Sequence, residues 1–233
     1  IELADIEIGK KYIFDRTGIQ FNFYNTLFQF MAMVKENDPV LSIADKMLFV
    51  PDIFNYLLTG VMKNEYSIAS TSQMLEVNSK QWDKELMEKS GINPELFCDI
   101  VMPGEVVGML SDDICEELGC PKIPVIAVGS HDTASAVASV PVTEDYKYAY
   151  ISTGTWALMG SELDTPFVSD ETFKYNFTNE GGIDYRFRFL KNYMGMWLLQ
   201  NIRRNINKEL TYDEMMYLAM ESDFTEKIDP NAN

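Results

Sequence analysis

The chain passes from an apolar run into a polar break at Ile123-Pro124-Val125-Ile126-Ala127-Val128-Gly129-Ser130-His131-Asp132-Thr133. The first six residues are apolar and partly β-branched, which predicts a short buried strand. Small residues from Ala134 to Ser139 follow the break and predict a closely packed helix. A strand that leads into a helix is typical of α/β folds, and in open sheets of that class ligands bind at the carboxyl ends of strands.

The sequence on the two sides of this unit has different patterns. Upstream, apolar residues recur at helical spacing between Leu27 and Val34, which indicates a helix with one apolar face. Downstream, we predict a strand from Tyr146 to Ile151, then a turn and a second strand. The mixture of helices and strands predicts the α/β class, with a domain boundary near residues 138 to 146. The chain would then divide into residues 1–140 and 141–233.

Composition limits the function classes. The 233 residues are 46% apolar and carry a net charge of −17, so the chain is globular and its surface repels nucleic acids and anionic membranes. No apolar run reaches the roughly 18 residues that a membrane span needs. Three cysteines in a chain of this size point to a reducing, cytoplasmic compartment, and no Cys or His set has the spacing of a metal site. The chain starts with Ile1, and we expect it to be a piece of a longer protein.

Asp132 is the first candidate for catalysis. A carboxylate at the end of a strand is ionised at neutral pH unless it is desolvated, and it can accept a proton from a hydroxyl. The competing interpretation is that Asp132 or Ser130 simply caps the following helix. A hydrolase triad is excluded for Ser130-His131-Asp132, because neighbouring side chains point apart.

Ser152-Thr153-Gly154-Thr155 is the second candidate. A small turn rich in hydroxyls can direct backbone N–H groups and hydroxyls at a phosphate. An ordinary hairpin turn is the competing interpretation. The turn is not a Walker A loop, because no Gly-Lys-Ser/Thr follows.

The third candidate begins at Asn179-Glu180-Gly181-Gly182 and continues with Asn192 and Gln200. We predict one helix from about Asn192 to Arg204, which would place the two amides roughly 12 Å apart along its axis and about 80° apart around it. Such a helix could contact two ligands that are bound side by side, one at each amide. The competing interpretation is that both amides lie on the surface.

Taken together, these motifs resemble the FGGY family of carbohydrate kinases. The resemblance covers most of the chain from about residue 12. The segments that carry it are Arg16 to Gln20, Asn25 to Leu27, Pro51-Asp52, Leu58 to Gly60, Trp82-Asp83, Gly129 to Val137, Ser152 to Gly160, Asn179 to Gly182 and Leu190 to Gln200. The early segments are generic for the family. Two later ones, Ser130 to Val137 and Leu190 to Gln200, are more specific to the branch that acts on L-rhamnulose.

The resemblance implies an actin-like, ribonuclease H-like pair of α/β domains with a cleft between them. Members of the family transfer the γ-phosphoryl group of ATP to a sugar hydroxyl with Mg²⁺, which here implies L-rhamnulose and ATP as small-molecule partners. The family's roles fall on six positions of this chain: the base on Asp132, the sugar contacts on His131, Thr133 and Asn192, the ATP phosphates on Thr155 and the nucleotide on Gln200.

The chain also departs from the family pattern. The N-terminal Asp-x-Gly phosphate loop and the later Gly-Gly-Gly adenosine loop are absent, so we expect a central segment that is inactive alone. Asp184-Tyr185 is unfamiliar after the glycine pair and could alter the sugar pocket. Two alternatives remain open: a kinase for another ketose, such as fuculose or xylulose, and a non-catalytic sugar- or nucleotide-binding remnant.

Overall fold

A computed structural model describes residues 1–142 and 147–227, and it combines helices with sheets, as the α/β prediction requires. The α-helices, in chain order, are α1 Glu2–Glu7, α2 Lys10–Thr17, α3 Thr26–Lys35, α4 Val40–Ile43, α5 Val50–Thr59, α6 Tyr66–Ser70, α7 Lys84–Lys89, α8 Asp112–Leu118, α9 Asp132–Ala138, α10 Asp170–Lys174, α11 Met196–Ile206 and α12 Tyr212–Glu221. The strands are β1 Asn64–Glu65, β2 Leu75–Glu76, β3 Gln81–Trp82, β4 Ile100–Val101, β5 Val106–Met109, β6 Pro124–Ile126, β7 Tyr150–Thr153, β8 Trp156–Leu163, β9 Thr178–Gly181 and β10 Phe187–Met194.

The part before residue 143 is mainly helical. Its largest buried cluster includes Leu27 and Met31 of α3, so the helical spacing predicted for this segment is confirmed. Short strand pairs tie the helices together: β1 with β4 in parallel, and β2 with β3 and β5 with β6 antiparallel. The predicted domain boundary falls partly on residues 143–146, and these residues, with the start of the predicted strand at Tyr146, lie outside the described part of the chain.

One four-stranded antiparallel sheet, with strand order β7-β8-β10-β9, dominates the part after residue 147. The predicted strand–turn–strand unit is its β7–β8 hairpin, with the turn at Gly154 and Thr155. In the register of β10, Arg188 stands opposite Glu162 on one side and Glu180 on the other. Directly opposite residues share a face in an antiparallel sheet, so these three charges lie on one face.

Two predicted elements differ from the structure. Within the run from Ile123 to Val128 only Pro124–Ile126 forms a strand, β6, and Ile123, Ile126 and Val128 are 52%, 43% and 63% exposed, so the run is not buried. The reason is that β6, within the described residues, pairs only with β5 in a two-stranded sheet. The predicted helix from Asn192 to Arg204 begins only at Met196, because β10 pairs with β8 over its full length to Met194.

Close backbone contacts join the helical part to the sheet. Asn179 donates from its backbone N–H and its side-chain Nδ2 to the carbonyl of Gly18, at 2.9 and 3.0 Å. Gly181 donates its N–H to the Ser70 hydroxyl at 2.7 Å. A Cβ on Gly181 would lie 2.7 Å from the ring of Tyr66, so only glycine lets α6 approach β9 this closely. The sheet and the helices therefore share one packed junction.

Candidate functional site

A cavity of about 540 Å³ opens between these two parts. Its walls come from residues 19–26, α6, the loop before α9, the β7–β8 hairpin and the strands β9 and β10. Five of the six predicted site residues line it: His131, Asp132, Thr133, Thr155 and Asn192. Gln200 is not among the lining residues. The chain thus brings together side chains that are up to 61 positions apart, since 192 − 131 = 61.

The loop that carries Asp132 is held by a buried carboxylate. Glu65 is fully buried and N-caps α6 by accepting from the backbone N–H groups of Ser67 and Ile68, at 2.7 and 3.2 Å. The same carboxylate accepts from the hydroxyl of Ser67 at 2.6 Å. It also accepts the backbone N–H of Ser130 at 3.1 Å and the Ser130 hydroxyl. Five donors from two segments therefore converge on one carboxylate.

Ser67 extends this arrangement to the next residue, because its hydroxyl accepts the backbone N–H of His131 at 3.0 Å. The backbone just before Asp132 is thus fixed at two successive residues. Asp52 supports the other end: it accepts the backbone N–H of Glu65 at 3.0 Å and the side-chain N–H of Asn64 at 2.9 Å. Burial raises the pKa of Asp52, and these donors oppose that shift.

Asp132 is the first residue of α9, and its side chain is exposed to the cavity. Its Oδ1 accepts the backbone N–H of Thr133 at 2.7 Å and lies 3.6 Å from His131 Nδ1. Ser130 does not cap α9, because its hydroxyl and N–H both turn to Glu65. Of the capping interpretation, only the bond from the Thr133 N–H to Asp132 remains. The rest of the Asp132 carboxylate is accessible to a ligand.

The β7–β8 hairpin forms a second wall. Ser152, Thr153 and Thr155 line the cavity with their short side chains. The turn is anchored by the first residues of α11, since Met196 donates to the carbonyl of Gly154 at 2.9 Å and Trp197 to that of Thr155 at 3.2 Å. The backbone of the turn is therefore held against the start of α11.

Asn192 and Gln200 lie on different elements, so the single helix predicted to carry both is wrong. Asn192 belongs to β10, opposite Leu158 of β8, and lines the cavity. Gln200 belongs to α11, four residues or about one turn beyond its first residue. The turn at Asp184 and Tyr185, both with positive φ, joins β9 to β10, and neither residue is among the lining residues.

A polar network that the sequence analysis missed supports the wall formed by residues 19–26. The buried amide of Asn25 donates at 2.8 Å to both the Gln20 carbonyl and the Gln73 side chain. Gln73 in turn donates to the carbonyl of Ile19 at 3.0 Å. The only sequence signal is an unusual density of amides, which surface loops also show.

A second feature missed is a buried ion pair behind the cavity. Arg188 is 0% exposed, and its Nη2 lies 3.1 Å from Oε2 of Glu180, which is a lining residue. Arg188 also donates from Nε to the carbonyl of Gly181 at 2.9 Å. Opposite charges eight positions apart in the sequence are a weak signal of a cross-strand pair.

The chain's single histidine lies in the cavity wall. Burial is the main reason that the pKa of His131 falls below its ordinary value of 6.5, and the positive charge of Arg188 lowers it further. Glu180, Asp132 and Glu65 act in the opposite direction. The imidazole is therefore neutral at pH 7, and Nδ1 is buried without a hydrogen-bond partner.

The described residues contain no group of three or more His, Cys, Asp or Glu side chains that could hold a metal ion. The three cysteines are free. Mg²⁺ is normally held by one or two carboxylates together with water and substrate phosphates, so an exposed Asp132 beside a hydroxyl-rich hairpin is compatible with it. Within residues 1–142 and 147–227, no helix has the length and apolar character to cross a bilayer.

Comparison with protein families gives a match over residues 2–138 to the model of the N-terminal domain of the FGGY family of carbohydrate kinases. Two curated relatives are rhamnulokinases. The protein from Oceanobacillus iheyensis is 42% identical over 96% of this chain and 47% of its own length. The protein from Bacteroides thetaiotaomicron is 44% identical over 90% of this chain and 43% of its own length. The chain thus spans about half the length of the curated relatives it matches.

Solved structures show the same fold. The xylulose kinase from Lactobacillus acidophilus superposes with a TM-score of 0.78 at 16% identity, over 94% of this chain and 44% of its own. The glycerol kinase from Plasmodium falciparum gives a TM-score of 0.70 at 15% identity, over 89% of this chain and 43% of its own. The predicted α/β kinase fold is confirmed by these neighbours.

We predict that Glu65→Gln destabilises the chain by about 1–3 kcal/mol, because an amide has one acceptor oxygen where five donors converge. Chemical denaturation measures this loss. Glu76→Gln is the control: Glu76 also accepts backbone N–H groups, from Asn78 and Ser79, but in an exposed turn. Equal, small losses for both variants would show that the Glu65 network contributes little.

We further predict that the imidazole of His131 titrates below pH 6.5 in the folded chain and near 6.5 in urea. Acidification through pH 6.5 then protonates the unfolded chain first, so the free energy of unfolding falls as the pH falls. Proton NMR measures both states on the same resonance, because the chain has one histidine. A folded-state pKa at or above the unfolded value would contradict the buried, uncompensated position of this ring.

Proposed function

Because this chain belongs to the FGGY family of carbohydrate kinases, we propose that it forms part of an enzyme that transfers a phosphoryl group from ATP to the C1 hydroxyl of L-rhamnulose. One observation carries the proposal: the exposed carboxylate of Asp132 shares a single cavity with Asn192 and the Thr155 hairpin. The identities of 40–44% to rhamnulokinases favour L-rhamnulose among the ketoses.

Asp132 is the proposed general base. Its carboxylate accepts the proton of the sugar's primary hydroxyl as that oxygen attacks phosphorus. In phosphoryl transfer the protein mainly positions groups and distributes charge, so a weakly basic carboxylate suffices. The clamp of Glu65 on Ser130, with the bond from His131 to Ser67, supports this role because it holds the backbone that carries Asp132.

The proposed sugar contacts are His131, Thr133 and Asn192, which approach the cavity from two sides. A neutral imidazole and an amide can each donate and accept hydrogen bonds, which suits hydroxyl groups of a sugar. Thr133 is buried in the wall, so its hydroxyl has few competing waters.

Thr155 is the proposed contact to the ATP phosphates, with Gln200 directed at the nucleotide. The hydroxyl of Thr155, in the turn between β7 and β8, is a neutral donor that fits a phosphate oxygen. Bound Mg²⁺ would neutralise charge on these phosphates. We propose that residues 1–140 and 141–233 belong to two domains, since the family match ends at residue 138 and the antiparallel sheet begins at β7.

Asp132→Asn is expected to remove nearly all sugar phosphorylation and to leave sugar binding and folding intact, because the amide keeps the shape of the carboxylate and accepts no proton. The assay measures kcat and sugar affinity in a polypeptide that carries this chain at the full length of its curated relatives. Asp164→Asn is the matched control, since its carboxylate is 87% exposed and pairs with Arg186 outside the cavity. Near-normal turnover of the Asp132 variant would end the proposal, and a clear preference for fuculose or xylulose would replace L-rhamnulose.

A protein of these 233 residues alone is expected to phosphorylate no sugar, since the family's adenosine and phosphate loops are not among them. A coupled ADP-release assay with L-rhamnulose and ATP checks this. Binding of sugar or nucleotide without turnover agrees with the proposal. Robust turnover by the 233-residue protein would show that these loops are dispensable.

A further inference from the structure

The ion pair between Glu180 and Arg188 is buried, and the removal of both charges from water costs free energy. Both side chains are at least nine-tenths buried, at 7% and 0% exposure. Desolvation of two charges exceeds their attraction unless further hydrogen bonds satisfy the remaining donors and acceptors. Arg188 makes one such bond, from Nε to the carbonyl of Gly181, and its Nη1 has no hydrogen-bond partner among the described residues.

One buried polar atom in the cavity wall, Nδ1 of His131, has no hydrogen-bond partner among the described residues. Buried polar atoms in native proteins are nearly always paired, so an unpaired one in a cavity wall indicates a position where a polar ligand can bind. Glu180 is a charged residue of the same wall.

The charge of Glu180 acts on the cavity from its wall. It opposes the lowering of the pKa of His131, and it adds to the effect of burial in raising the pKa of Tyr24. These two residues line the cavity from different connecting segments, before α3 and before α9. A carboxylate in this position can accept one or two hydroxyl hydrogens and has no hydrogen to donate.

We propose that Glu180, held in place by Arg188, accepts a hydrogen bond from a secondary hydroxyl of the bound sugar and thereby selects sugars that carry that hydroxyl. The inference rests on the proposed function for the class of ligand. It adds a specificity-determining residue to the cavity. A site that binds a hydroxyl through a buried acceptor rejects an analogue that lacks the hydroxyl, because that hydrogen bond to the carboxylate is then not made.

The test measures binding by isothermal titration calorimetry, without ATP, in a polypeptide that carries this chain at the length of its relatives. The probes are L-rhamnulose and three analogues that each lack one secondary hydroxyl, at C3, C4 or C5. The unsubstituted protein is expected to bind one analogue roughly 10- to 100-fold more weakly than the others. Glu180→Gln is expected to remove most of that penalty and to weaken binding of L-rhamnulose.

Glu162→Gln is the matched control. Glu162 stands opposite Arg188 on the other neighbouring strand, is largely buried beside Arg186, and is not among the cavity-lining residues. This variant should retain the full penalty. If Glu180 has only a structural role, Glu180→Gln weakens the binding of all four probes equally, and that result overturns the inference. The inference is also overturned if the unsubstituted protein binds all four probes equally or binds none of them.

Glu180→Gln leaves Arg188 buried without its counter-charge and could fail to fold. The double variant Glu180→Gln/Arg188→Met removes both charges and avoids this cost. It should lose the penalty in the same way, and a retained penalty contradicts the proposal. Phosphorylation is measured in parallel, so that the two proposals can fail separately. If analogue binding depends on Glu180 but no sugar is phosphorylated, only the proposed kinase function is wrong. If phosphorylation requires Asp132 but the weaker binding of the analogue does not depend on Glu180, only this inference is wrong.

Discussion

A buried carboxylate needs hydrogen-bond donors, and the donors that surround Glu65 hold the two segments of the site together. Two segments supply its five donors: the first turn of α6, and Ser130, which is 65 positions away. Leaving these groups unpaired in the interior would cost several kcal/mol, so the loop before α9 has one favourable position. Asp52 fixes the backbone of Glu65 itself, which extends the constraint to α5.

The sheet contributes rigidity of a different kind. Eight successive residue pairs join β8 to β10, and this ladder sets where Asn192 and Arg188 stand. The hairpin at Gly154 is tied to the start of α11, so it cannot shift independently of that helix. The cavity therefore lies between a loop fixed by side-chain hydrogen bonds and a sheet fixed by backbone hydrogen bonds, an arrangement that favours preorganised binding.

Local signals in the sequence were enough to predict α3, α9 and the β7–β8 hairpin, which the structure contains. They also led to Asp132, Thr155 and Asn192, and the resemblance to the FGGY family added His131 and Thr133; these five residues share one cavity. The errors concern non-local pairing. The burial of β6 depends on which strands cover it, and the length of β10 depends on β8, so neither follows from the residues of the segment itself. The role of Glu65 and the ion pair of Glu180 with Arg188 were missed, because a single charge in a sequence resembles a solvated one until its distant partners are known.

The bond between Gly181 and Ser70 spans 111 positions of the chain. At a synthesis rate of roughly 5–20 residues per second, a ribosome needs about 5–20 s to deliver the second partner after the first. During that interval α6 has been synthesised without β9, whose Gly181 packs against the ring of Tyr66. The cavity can therefore form only late in synthesis, after β9 has packed against α6.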